Sequence, residues 1–194
     1  MTRLPPLILA SASPRRRELL RLLGHPFRVV VSEVAEPPFA GGDPVEYAVL
    51  LARAKARQVA EGRRRPAVIL GADTVVELDG RVFGKPRDGA EAAAMLGALS
   101  GRTHRVITAV ALLGPQEEEE TAAVQTAVTF RTLRPDQIAR YVATGEPLGK
   151  AGAYAIQGRG AALVTGLTGD YFNVVGLPVA TVATMLARRG YPGL

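Results

Sequence analysis

The chain has 194 residues, 47% of them apolar, and a formal net charge of +6, enough for one domain over residues 1–194 with a well-packed core drawn into two lobes. It has no cysteine and only two histidines, which excludes disulfides, iron–sulfur clusters, cysteine-bound zinc and thiol catalysis and leaves hard ions such as Mg²⁺ or Mn²⁺ on oxygen ligands. No apolar run reaches the roughly 18 residues of a membrane span and the N-terminus lacks a signal-peptide pattern, so the expected setting is the cytoplasm.

Taken in chain order, the pattern is α/β. A buried strand at residues 7–10 breaks at Ser11-Ala12-Ser13 into a helix beginning at Pro14 and running to residue 23. Arg15, Arg16 and Arg17 oppose the dipole of that helix N-terminus, where free N–H groups also point. An anion, phosphate above all, would offset the cost. The plainer alternative is that Ser13 is an N-cap and the arginines face solvent.

A second strand is expected at 27–31 and a long helix at 44–61. A further strand at 67–70 runs on through Gly71-Ala72-Asp73-Thr74 to Glu77, with a hairpin turn at Asp79-Gly80. Asp88 caps a helix to residue 99. Strands at 103–113 and 121–133 flank an acidic run, Glu117 to Glu120, read as a solvated hairpin tip. Pro135 opens a helix to 142, glycine is dense from 145 to 176, and a last helix after Pro178 packs on the first strands. Three arginines at 63–65 make one short basic loop without interleaved aromatics, so nucleic-acid stacking is disfavoured.

Asp73 is the strongest catalytic candidate: it follows a Val-Ile-Leu strand, among small and β-branched neighbours, where a carboxylate is expensive without a purpose. A turn-capping role is the alternative. Glu36, just past the second strand, approaches the same edge if the strands are neighbours, and two carboxylates there can share a divalent ion; the alternative is that Glu33 or Glu36 is a solvated loop residue. Only Lys55, Lys85 and Lys150 are lysine among 24 basic residues, so a lysine in an apolar or glycine-rich setting is informative. Lys55 lies on the long helix among alanines and leucines, where snorkelling is the competing explanation. Lys85 is fixed between Gly84 and Pro86. Gln157, between isoleucine and glycine, suits the edge of a base or ribose. Together these side chains describe a nucleotide site, without a Walker motif or a Gly-x-Gly-x-x-Gly turn after the first strand.

Seven ordered motifs carry a resemblance: Ser11-Ala12-Ser13-Pro14-Arg15-Arg16 with Glu18-Leu19-Leu20; Ala52-Arg53-Ala54-Lys55-Ala56; Gly71-Ala72-Asp73-Thr74-Val75-Val76; and Gly84-Lys85-Pro86. Leu99 to His104 with Thr108-Ala109-Val110, Ala151 to Gly158 and Asn173 to Pro178 complete the set. In this combination the chain resembles the Maf-like nucleotide pyrophosphatase family.

The resemblance implies a two-lobed Maf/inosine-triphosphatase-like α/β fold, an extended mixed sheet flanked by helices around a central cleft. It implies hydrolysis of a nucleoside triphosphate to the monophosphate and pyrophosphate with Mg²⁺ or Mn²⁺, and a homodimer. Asp73 would be the proton acceptor, a metal ligand or both, with Glu36 as a second metal ligand. Arg15, Thr74 and Gln157 match positions associated with substrate choice, and Ser11, Arg16, Lys55 and Lys85 match phosphate-contacting or near-catalytic ones. Ala-Asp-Thr together with Gln157 resembles the dTTP/UTP branch, because a glutamine amide offers the imide edge of a pyrimidine one donor and one acceptor. The competing readings are a purine-type inosine triphosphate pyrophosphatase and a non-enzymatic regulator of septum formation or nucleic-acid-binding protein.

Overall fold

The computed structural model describes residues 4–193 apart from 62, 64, 65 and 117. Seven strands form one mixed sheet: β1 (Leu7–Ala10), β2 (Phe27–Val29), β3 (Val68–Leu78), β4 (Arg81–Phe83), β5 (Thr103–Leu113), β6 (Glu119–Phe130) and β7 (Val164–Thr168). The helices are α1 (Pro14–Arg21), α2 (Pro44–Ala60), α3 (Gly89–Leu99), α4 (Pro135–Val142), α5 (Tyr171–Val175) and α6 (Val179–Arg188). The sheet order is β2-β1-β3-β5-β6-β7, with β4 paired to the far half of β3.

β3 organises the molecule. Its first half pairs parallel with β1, from Leu7 opposite Val68 to Ala10 opposite Gly71. Its second half pairs antiparallel with β4, beginning at Val76 opposite Phe83. Between those two ladders Ala72 to Val75 have a neighbour only on the β5 side, where Asp73 pairs with Ala109 and Thr74 with Thr108.

Two sets of core residues meet at this gap. Leu7, Leu9, Val68 and Leu70 pack with Leu20 of α1 and Met185 and Leu186 of α6, while Val76, Leu78 and Phe83 pack with α3, Phe130 and Tyr154. Asp73 and Thr74 therefore lie at the waist between the lobes, in the middle of β3.

Alternation along β3 sends Ile69, Gly71, Asp73 and Val75 to one face and Leu70, Ala72 and Thr74 to the other. The first face is covered by α2, whose Ala48, Ala52 and Ala56 are buried against it. The approach is close enough that a Cβ on Gly71 would overlap the Ala52 carbonyl oxygen.

Several boundaries differ from the sequence pattern. β2 stops at Val29, and the glycine-dense stretch contains β7 and α5. The acidic run is not a free tip: Glu119 and Glu120 open β6, pairing with Arg57 at 2.9 Å and Arg188 at 2.6 Å, and Glu118 pairs with Arg189 at 2.5 Å. Glu117 and two of the arginines at 63–65 lie outside the described residues. Among the described residues no helix is long and apolar enough to cross a membrane.

Candidate active site

A cleft of about 980 Å³ opens at the waist, at the upper end of the usual range for small-molecule sites. Ser11, Arg15, Arg16, Glu36, Lys55, Asp73, Thr74 and Lys85 all line it. Gln157 does not; it is exposed on the loop three residues beyond Tyr154, which does line the cleft.

At the centre, the Lys55 ammonium donates to Asp73 Oδ1 at 2.5 Å and to Glu36 Oε1 at 2.7 Å. Lys85 approaches the same Glu36 oxygen at 3.7 Å, from a largely exposed position. Burial works against charge on Glu36, but the Lys55 hydrogen bond, with Lys85 and Arg16 behind it, holds its carboxyl below the ordinary range. Lys55 is no snorkelling surface lysine, since it is buried between two carboxylates. Tyr47, Leu51 and Lys55 line the cleft at four-residue spacing along α2. That spacing is the signal by which Tyr47 could have been found from the sequence. Its hydroxyl donates to Pro37 O at 2.7 Å, holding the chain just after Glu36, and Gln58 Oε1 holds it just before, accepting from Ser32 Oγ and Glu33 N, each at 2.7 Å.

The β1–α1 junction resolves into distinct roles for its residues. Ser13 is the N-cap, accepting from Arg16 N at 3.4 Å, and Pro14 opens the helix. Arg16 turns back into the cleft, where its Nε donates to Gly176 O at 2.8 Å and its Nη2 to Thr74 Oγ1 at 3.0 Å. A longer bond reaches Ser11 Oγ at 3.4 Å. Protein oxygens, rather than only a phosphate, thus offset the cation at this helix start. Arg17 is exposed.

The Arg16 contact is backed by a chain of hydroxyls. Thr108 Oγ1 donates to Asn173 O at 2.8 Å and lies 2.8 Å from Thr74 Oγ1. Its single proton being used, Thr74 must donate to Thr108. Thr74 is then left with acceptor capacity only, and it accepts from Arg16. The Asn173 amide completes the support, accepting from Thr108 N at 3.0 Å and donating to Val106 O at 3.0 Å and Thr126 Oγ1 at 2.9 Å.

Arg15 faces a second polar group that the sequence did not mark. Desolvation lowers its pKa, and the nearby Tyr141 and Glu146 partly counter this. Lys150, also on the cleft wall, is lowered by desolvation and by repulsion from Arg15. Arg15 and Lys150 thus add two cations to the lining of the cleft.

The class defined by this fold and cleft is a two-lobed mixed α/β protein with a cationic groove at its waist and paired carboxylates on the groove floor. The chain belongs to the Maf-like protein family, whose model matches residues 6–189. It is 58% identical over 185 residues, 95% of each chain, to a dTTP/UTP pyrophosphatase of Moorella thermoacetica. It is 54% identical over 186 residues to the dTTP/UTP pyrophosphatase of Symbiobacterium thermophilum, covering 96% of this chain and 95% of that one. Among solved structures, a HAM1 protein from Coxiella burnetii shares the fold, with a TM-score of 0.52 and 19% identity over 95% of this chain and 99% of that one.

Proposed function

We propose that this chain hydrolyses dTTP and UTP to the nucleoside monophosphate and pyrophosphate, in the cytoplasm. The observation that carries the reading is the convergence of Asp73 and Glu36 on one ammonium, inside a cation-lined cleft, in a chain 58% identical to a dTTP/UTP pyrophosphatase.

In this reading the triphosphate lies along the groove, with Lys55, Lys85 and Arg16 near its oxygens and Arg15 and Lys150 toward the other end. Asp73 takes a proton from a water that attacks the α-phosphorus, the bond from that phosphorus to the α–β bridging oxygen breaks, and pyrophosphate leaves. The cations stabilise the charge that gathers on the departing pyrophosphate. Thr74, with its proton committed to Thr108, acts by accepting from Arg16 and fixing that guanidinium.

The residues fit a hard divalent ion. Asp73 and Glu36 each direct one oxygen to a common point, and among the described residues no protein donor reaches the other. No cluster of three or more metal-ligating side chains occurs among the described residues, so phosphate oxygens and water would complete the shell, as Mg²⁺ favours. When bound, Mg²⁺ or Mn²⁺ would supply Lewis-acid polarisation of the phosphate. Gln157 is assigned to the pyrimidine imide edge from the rim of the cleft, and the active form is assigned as a homodimer, which sedimentation tests.

The deciding experiment is pyrophosphate release from dTTP, UTP, CTP and the purine triphosphates with Mg²⁺ or Mn²⁺, by wild type and Asp73→Asn. The expected result is selective turnover of dTTP and UTP, lowered about 10²-fold or more in the variant. Near-normal release by a folded Asp73→Asn protein would end the assignment of Asp73, and preferential purine turnover would end that of the substrate.

A further inference from the structure

Glu146 stands in the loop after α4, outside the carboxylate pair, yet its side chain is fully committed. Oε1 accepts from Tyr141 Oη at 2.8 Å and from Gly160 N at 2.8 Å, and Oε2 accepts from Arg159 N at 3.0 Å. Tyr141 Oη in turn accepts from Ala155 N at 3.2 Å. The two side chains therefore grip the chain on both sides of Gln157, at residue 155 and at residues 159 and 160. The grip also tolerates no bulk. A Cβ on Gly158, where φ is +89°, would fall 2.7 Å from Glu146 Oε2, and one on Gly160 would meet Tyr141 Oη at 2.6 Å.

Residues 155–160 belong to no strand, and Gln157 itself is exposed. A side chain that discriminates one base edge from another must be held in place before binding, because a mobile loop loses selectivity to ordering entropy. Three hydrogen bonds to one carboxylate, two of them from consecutive main-chain N–H groups, give that rigidity. Lys150, which lines the cleft, donates from Nζ to the main-chain oxygen of Glu146 at 2.8 Å, so the grip is joined to the cleft wall.

We propose that Glu146, with Tyr141, is a positioning residue for pyrimidine selectivity: it holds the 155–160 loop so that Gln157 meets the base, and it touches neither base nor phosphate. The proposal rests on the assignment of Gln157 to the base edge.

The test is steady-state pyrophosphate release from UTP and CTP by wild type, Glu146→Gln, Tyr141→Phe and Gln157→Ala, with inorganic tripolyphosphate as a competitive probe of the phosphate end. Loss of one charge-assisted bond in Glu146→Gln should raise KM for UTP about tenfold. kcat should stay within about threefold and the UTP/CTP ratio of kcat/KM should fall toward that of Gln157→Ala. The inhibition constant of tripolyphosphate should not change, whereas a general loss of structure would move it. Tyr141→Phe, which keeps the ring, should shift selectivity in the same direction if Glu146→Gln does not fold. Unchanged selectivity in folded Glu146 or Tyr141 variants, while Gln157→Ala loses it, overturns the proposal and leaves the role of Gln157 standing. Unchanged selectivity in Gln157→Ala overturns both.

Discussion

The Lys55 ammonium lies 2.5 Å from Asp73 Oδ1, with side chains only 11% and 9% exposed. A buried pair of this kind behaves asymmetrically, because removing one partner strands the other charge out of water. Lys55→Met should therefore destabilise the protein by about 3 kcal/mol, read from urea unfolding. Glu36, 38% exposed on the other side of the same ammonium, retains access to water, so Glu36→Gln should cost no more than about 1 kcal/mol. Equal costs for the two variants would mean that the ammonium is shared evenly and that burial of Asp73 does not decide its dependence on Lys55.

Gly71 and Gly97 give opposite expectations for the same substitution. A Cβ at Gly71 would overlap the Ala52 carbonyl oxygen and press on Ala56 N, which are main-chain atoms of α2 and cannot swing aside, whereas at Gly97 nothing lies within 4 Å. Gly71→Ala should cost about 3 kcal/mol and, by lifting α2, should lower kcat with Lys55 displaced. Gly97→Ala, inside α3, should stabilise by roughly 0.5–1 kcal/mol. Paired denaturant melts check both signs.

His104 predicts acid sensitivity. It is 1% exposed, meets Tyr154 Oη through Nε2 at 2.9 Å and, among the described residues, has no partner for Nδ1. Desolvation pushes its pKa down to about 4 from 6.5. Between those values the unfolded chain takes up a proton that the folded chain refuses, so stability falls as pH drops below about 6.5 and the loss levels off below about 4. Its full size is about 3 kcal/mol. His104→Phe should lose some stability at pH 7, as the Tyr154 hydroxyl is left unpaired, but should abolish most of the decline between pH 7 and pH 4.5. Unfolding free energies at the two pH values measure this; a decline of the same size in the variant would assign the sensitivity to other groups.

The legible parts of the fold were those with local signals. Apolar runs marked β1 and β3, Pro44 marked the start of α2 and Asp88 that of α3, and Asp88 does cap α3 by accepting from Glu91 N at 2.8 Å. β7 escaped notice because Val-Thr-Gly-Leu-Thr has no clean alternation, and α5 because five residues hold too little periodicity. In the site, Asp73 was legible as a carboxylate set among small residues.

The partners of the charged side chains were not legible. Arg16 is fixed by the main-chain oxygen of Gly176, 160 residues away, and main-chain acceptors carry no residue-type signature. Arg188 and Arg189 reach back to the acidic run across 68 and 71 residues, so that run looked solvated. Glu146 was passed over for the same reason, since two of its three donors are main-chain N–H groups.

β3 and β5 stay paired without interruption from Ile69 opposite Leu113 to Glu77 opposite Arg105, crossing from one hydrophobic core to the other beneath the groove. A hinge at the waist would have to bend that ladder, which therefore resists spreading of the lobes. On the proposed assignment of Gln157, base selectivity rests on side chains and on the 155–160 loop, so exchanging a few loop residues re-aims the protein toward another base while the spine stays unaltered.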